Sequence, residues 1–93
     1  MKLWVDDIRE APKNWAWAKT FTEAKTLIER CDIDEISLDH DLGGELTGYD
    51  ILNYIEWRKM VLGVEIPKII HVHTANPVGR QRMQIVVQKL LAD

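Results

Sequence analysis

A single cysteine, Cys31, in 93 residues excludes an internal disulfide and any cysteine-built zinc cluster. No apolar run approaches the ~20 residues that cross a bilayer. Asp6-Asp7 interrupt the N-terminus before an apolar signal-peptide core can form. A basic excess is also missing: 12 basic against 15 acidic residues give a net charge of −3. With no stripe of Lys and Arg, DNA is not an expected partner. What remains is 46% hydrophobic and 29% charged residues, enough apolar content for a thin core. The expectation is one soluble, cytoplasmic domain over residues 1–93 with no membrane contact.

Charge is unevenly spread. Residues 1–46 carry 11 acids and 6 bases, and residues 47–93 carry 4 acids and 6 bases. The acids of the first half include two tight groups, Asp6-Asp7 and Asp39-His40-Asp41. Arg80 and Arg82 follow an Asn-Pro turn in the second half. An acidic pocket facing a basic rim suits a metal ion and a phosphate together, whereas isolated charge runs are ordinarily solvated faces.

Short apolar runs rich in Ile and Val read as buried strands: Leu3-Trp4-Val5, Ile36-Ser37-Leu38 and Ile69 to His73, with a weaker one at Trp17-Ala18-Lys19. Helical stripes lie between them. Phe21, Ala24, Leu27, Ile28 and Cys31 form the first, opened by a Thr20/Glu23 capping box. Ile51, Leu52 and Ile55 form the second, after the stretch Gly43 to Gly48. Met83, Val86, Val87, Leu90 and Leu91 form the third, with Asn76 at the N-cap and Pro77 at the first helical position. Strands alternating with helices predict parallel pairing in an α/β layered domain. In such sheets ligands bind beyond the carboxyl ends of the strands. Asp6-Asp7, Asp39-His40-Asp41 and His73-Thr74-Ala75-Asn76 all fall at those ends, and this convergence is the sequence's main pointer to a site.

An Asp-Asp pair after the first strand, one Asp after the third and a Thr after the fourth resemble the response-regulator receiver domain. The longer blocks Val5-Asp6-Asp7-Ile8-Arg9, Ser37-Leu38-Asp39-His40-Asp41-Leu42-Gly43, Thr47-Gly48-Tyr49-Asp50 and His73 to Arg80 resemble its divergent relative, the cyclic-phosphate processing receiver family, over about residues 3–90. The resemblance implies a three-layer, truncated receiver-like (flavodoxin-like) α/β domain. Its mostly parallel four-stranded sheet would have the order 2-1-3-4 and lack the fifth strand. It implies a metal-bound phosphoesterase-like site acting on a nucleotide-derived cyclic phosphate. The chain departs from ordinary receivers in having no fifth-strand lysine to contact a phosphoryl group, and in compressing the first helix into Ile8 to Ala16. The alternative is a non-catalytic receiver-like module that signals or binds a nucleotide or protein. A four-stranded sheet leaves an edge open, so a monomer or a weak homodimer is expected.

Asp6, Asp7 and Asp39 are the expected metal ligands, since clustered acids repel unless a cation neutralises them and oxygen-only donors suit Mg²⁺ or Mn²⁺. His73, with a usual pKa near ~6.5, is the expected acid/base, alongside Asp39 and Asn76 in the catalytic set. Thr74, Gly79, Arg80 and Arg9 are the expected phosphate contacts, helped by the helix opening at Pro77. His71, one pleat repeat below His73, is expected to be a core histidine. His40 and Asp41 fit a ligand or a turn equally well. Trp4, Trp15, Trp17 and Trp57 are expected to pack, with Trp15 or Trp17 near enough to Asp6-Asp7 to stack on a base.

Overall fold

Where β-branched and aromatic residues concentrate between polar turns, the chain is extended. In a computed structural model describing residues 1–92, β1 (Lys2–Val5), β2 (Ala16–Ala18), β3 (Glu35–Leu38) and β4 (Ile69–Val72) form one sheet, every pair parallel, in the order β2-β1-β3-β4. The helices are α1 (Phe21–Arg30), α2 (Gly48–Trp57) and α3 (Pro77–Leu91). A π-helical turn, Arg58–Leu62, extends α2 and stops at Gly63, whose φ of 66° suits the residue without a Cβ. No apolar periodicity in residues 58–62 marks this extra turn.

Register divides the sheet into two unlike faces. Leu3 stands beside Ala16 and Ile36, and Ile36 beside Ile70. These side chains, with Val5, Leu38 and Ala18, meet Ala24, Ile28, Ile51, Leu52, Ile55, Met83 and Leu90 in one buried cluster. α1 packs on α2, and α2 on α3, across this face. The opposite face carries Trp4, Trp17, Ser37 and His71 side by side. Its cover is the irregular segment from Asp7 to Trp15, folded back by a turn in which Trp15 N–H donates to Pro12 O and Asn14 takes a φ of 71°. Helices, sheet and this thin cover make the three layers, and no helix joins β1 to β2.

The helix starts follow local chemistry. Thr20 Oγ1 accepts from Glu23 N–H at the head of α1, while Glu23 Oε2 accepts from Lys19 N–H rather than from Thr20. At α2, Asp50 Oδ2 accepts from both Thr47 N–H and Thr47 Oγ1–H. At α3, Asn76 Oδ1 accepts from Gly79 N–H, as its N-cap position predicts. Two expectations need correction. The second strand runs Ala16–Ala18, one residue earlier than its apolar centre implied. His71 is not a core histidine: it sits on the open sheet face, its side chain 52% exposed, with Nε2 2.8 Å from Glu35 Oε2. β4 is an edge strand, so the residues beneath it are buried on one face only. No helix among the described residues is long and apolar enough to cross a membrane.

Candidate metal and phosphate site

Side chains alternate along a strand, so Asp6, Asp39 and His73 continue the rows of Trp4, Ser37 and His71 past the carboxyl ends of β1, β3 and β4. Backbone bonds carry the pairing to that edge: Asp6 N–H donates to Ala18 O, Asp39 N–H to Val5 O, and His73 N–H to Leu38 O. Asp7 then joins Asp6 and Asp39, and one carboxylate oxygen from each lies within 4.8 Å of the other two. Three acidic oxygens at that spacing form a hard, anionic donor set, which fits Mg²⁺ or Mn²⁺ by charge and ligand type.

The three acids are held differently. Asp6 has no exposed surface. Its Oδ1 accepts from the N–H groups of Ile8 and Arg9, both at 2.8 Å, and its Oδ2 lies 3.0 Å from His73 Nε2. Burial pushes its pKa up, but those two backbone donors and His73 outweigh burial and hold it below the usual 3.8. Asp39 Oδ1 accepts from His40 N–H at 2.7 Å. The Asp7 carboxylate accepts no hydrogen bond from the described residues, and Gly43, with a φ of 74°, closes over its Oδ2. An unpartnered carboxylate beside two others is a group that a cation would satisfy.

His73 is locked on three sides. Trp4 stacks on it, centroids 3.8 Å apart and planes 5° off parallel. Nε2 faces Asp6, and Nδ1 lies 2.7 Å from Ser37 Oγ. Burial lowers its pKa below the usual 6.5, against the opposing pull of Asp6 and Asp39. An ionised Asp6 only accepts, so Nε2 carries the proton and, in the neutral ring, Nδ1 accepts from Ser37. Neither nitrogen is left for a substrate, contrary to the role its pKa class suggested. Ser37, which has no place among the site residues expected from the sequence, is 3% exposed in the middle of β3. A period-two alignment of Ser37 with Asp39 on one row would have placed it facing the histidines.

The expected phosphate contacts are also spoken for. Arg9 Nη1 donates to His73 O at 3.2 Å, and Arg80 donates through Nε and Nη2 to Thr74 O at 3.2 and 2.6 Å. β3 ends before these two carbonyls, so they need other donors. The two arginines clamp the end of β4 and keep positive charge near the acids. Thr74 is buried and its Oγ1 accepts from Asn76 N–H. Gly79 makes room for a side chain, not for a phosphate: a Cβ there would meet Cγ and Cδ2 of His40 at 2.7 Å. His40 thereby packs over the start of α3, with Nδ1 3.0 Å from Asp41 Oδ1. Its Nε2 has no partner among the described residues and is not buried. No sequence signal tied His40 to Gly79, because the two lie on different loops.

Trp4, Trp15 and Trp17 pack instead of lining the site, whereas Trp57, also expected to pack, is 48% exposed. Trp15 meets Trp4 edge-on at 6.1 Å, and Trp17 Nε1–H donates to Asp6 O at 2.7 Å with Lys19 over its ring. Trp4 Nε1–H donates to Arg9 O at 2.9 Å, which ties the covering segment to the sheet. A cleft of about 780 Å³ lies away from the acids, between the end of α1 and residues 64–68. Its walls mix Arg30, Arg58 and Lys68 with Glu29, Asp32 and Glu65, and they bring no chemically coherent set together.

Comparison with curated proteins and with solved structures returns no match. The sequence model of one family does match, over residues 1–89, and that span takes in all four strands and every residue of the acidic edge. With its parallel order β2-β1-β3-β4 and its Asp6, Asp7, Asp39 and Thr74 at the strand ends, the chain belongs to the cyclic-phosphate processing receiver domain family.

Proposed function

We infer that the chain is a metal-dependent phosphoesterase that acts on a nucleotide-derived cyclic phosphate. The observation that carries this reading is the convergence of Asp6, Asp7 and Asp39 within 4.8 Å at the ligand-binding edge of the sheet. These three side chains would hold Mg²⁺ or Mn²⁺. A divalent cation there would polarise the phosphate and favour ionisation of the attacking water. The chain's own groups divide the remaining work. Of the first-turn amides of α3, Pro77 has none and Gly79 gives its own to Asn76, so Val78 N–H is the donor left for a phosphate oxygen. Arg9 and Arg80 supply positive charge from their places on the His73 and Thr74 carbonyls. At the acidic edge His40 is the imidazole with a nitrogen to spare: Asp41 orients Nδ1, and Nε2 is placed to give or take a proton. The alternative of a phosphoaspartate signal at Asp39 has less support, because no lysine reaches Asp39 through any described contact to serve as the phosphoryl group's cation.

The test is a screen of the purified protein with Mg²⁺ or Mn²⁺ against 2′,3′-cyclic and 1″,2″-cyclic phosphates. Metal-dependent ring opening is expected, with Asp39→Asn inactive and His40→Gln slowed by ~10²–10⁴-fold. Absence of turnover on the whole panel, with binding retained, would move the chain to the non-catalytic binding class.

A further inference from the structure

Asp6 is the most constrained of the three acids, and the constraint reaches it through a relay from inside the sheet. Ser37 Oγ meets His73 Nδ1 at 2.7 Å, and His73 Nε2 meets Asp6 Oδ2 at 3.0 Å. Ser37 is 3% exposed, Asp6 is fully covered and the His73 side chain between them is 14% exposed, so both ends of the relay are shielded from water and its middle largely so. Trp4, in β1 between Asp6 and the start of the chain, supplies a flat surface for the ring between them. The hydrogen bonds on Asp6 leave a specific remainder. Oδ1 already takes two backbone donors, which fills its two lone pairs, whereas Oδ2 takes one donor from His73. One lone pair of Oδ2 is thus what Asp6 keeps for a cation, and His73 decides in which direction it lies.

We propose that Ser37 and His73 are positioning residues that orient the Asp6 carboxylate toward a divalent cation, with Ser37 acting through the imidazole. The inference rests on the metal-site reading above. Outer partners of this kind fix the rotation of a ligating carboxylate and are typically worth ~10–100-fold in metal affinity. An alanine at Ser37 would fill nearly the same space without the hydroxyl. The role predicted for Ser37 is therefore hydrogen bonding rather than packing.

The experiment measures Mn²⁺ affinity calorimetrically for the unsubstituted protein and for Ser37→Ala, His73→Asn and His73→Gln. Melting curves of the metal-free proteins establish that each is folded. An imidazole ¹⁵N spectrum without metal reads the ring directly. Gln carries its amide N–H about as far out as Nε2, whereas Asn reaches only as far as Nδ1. A positioning role therefore predicts a several-fold loss for Ser37→Ala, a loss of ~10–100-fold for His73→Asn, and substantial recovery in His73→Gln. In the metal-free spectrum, Ser37→Ala is expected to move the Nδ1 resonance. Equal losses in His73→Asn and His73→Gln would reduce His73 to packing and overturn the proposal. So would parental affinity in folded Ser37→Ala and His73→Asn. If the unsubstituted protein takes up no Mn²⁺ at millimolar concentration, the metal reading itself falls and this inference with it.

Discussion

Asp7→Asn separates a charge-frustrated metal site from a merely acidic edge. One oxygen of Asp7 lies within 4.8 Å of an oxygen of Asp6 and of Asp39. At that separation two like charges repel by about 0.9 kcal/mol in a water-like dielectric and about 3.5 kcal/mol at an effective constant of about 20. Asp7 borders water, so the lower figure applies, counted over two neighbours. Asp6 and Asp7 stay adjacent in the unfolded chain, which trims the net relief to about 1–2 kcal/mol. The substitution breaks no hydrogen bond, because the Asp7 carboxylate takes none from the described residues. The metal-free variant should therefore melt higher, by roughly 5–15 °C for a chain of this size. Mn²⁺ should act in the opposite sense. At ~100 times its dissociation constant it would add about 2.7 kcal/mol to the parent and far less to the variant. The assay is a pair of melting curves, with chelator and with Mn²⁺, for each protein. A metal-free variant that melts at or below the parent, or one that gains as much from Mn²⁺ as the parent, would refute the reasoning.

Three further outcomes are expected. A Cβ at Gly48 would overlap the Asp39 carbonyl oxygen and crowd Met83, so Gly48→Ala should cost about 3 kcal/mol and lower the melting temperature by more than roughly 10 °C. Gly44→Ala, which meets nothing within 4 Å, should change it little. Acid should destabilise the fold in two stages: His73 has a depressed native pKa, so the unfolded state binds its proton first as pH falls below about 6.5. The stability from Asp6, present above 3.8, is then lost as pH falls through its lower native value, and urea titrations from pH 7.5 to 3 read both stages, the first absent in His73→Gln. Acetyl phosphate or beryllofluoride should leave the mass and tryptophan fluorescence unchanged, since no lysine reaches Asp39 through any described contact; a stoichiometric aspartyl adduct would restore the signalling alternative.

The strands and helices were legible because each buries one face, and burial writes itself into periodicity. Leu3, Val5, Ile36, Leu38 and Ile70 alternate or cluster as buried strands must, and Asn76-Pro77 announces α3. The acids were legible because unpaired Asp groups at strand ends have few structural uses. Partner choice was not legible. Arg9 and Arg80 read equally as phosphate clamps or as donors to carbonyls, and only the end of β3 one residue before Asp39 shows that the His73 and Thr74 carbonyls need them. His71 read as core because the sequence does not say that β4 lies at an edge with one face open. Likewise Gly79 read as space for a ligand, since nothing local reveals that His40 from another loop fills it.

The missing helix between β1 and β2 and the unusual neighbours of Asp6 are two sides of one arrangement. With only residues 6–15 to return the chain, the sheet face behind the acids has no helix to shield it. Indoles take that place: Trp4 covers His73, Trp15 braces Trp4, and Trp17 holds the Asp6 carbonyl. Under that cover a histidine and a serine can be dry enough to bond each other and a carboxylate, which a bare sheet face would not allow. Asp6 stays ionised in spite of this dryness, because the Ile8 and Arg9 amides and His73, donors fixed in place, outweigh the cost of burial. Asp7 and Asp39, nearer to solvent, are left for whatever cation joins them. The architecture thus concentrates rigidity on one acid and leaves openness to the other two, a division that would suit the proposed site, which has to hold a metal firmly and still admit a phosphate.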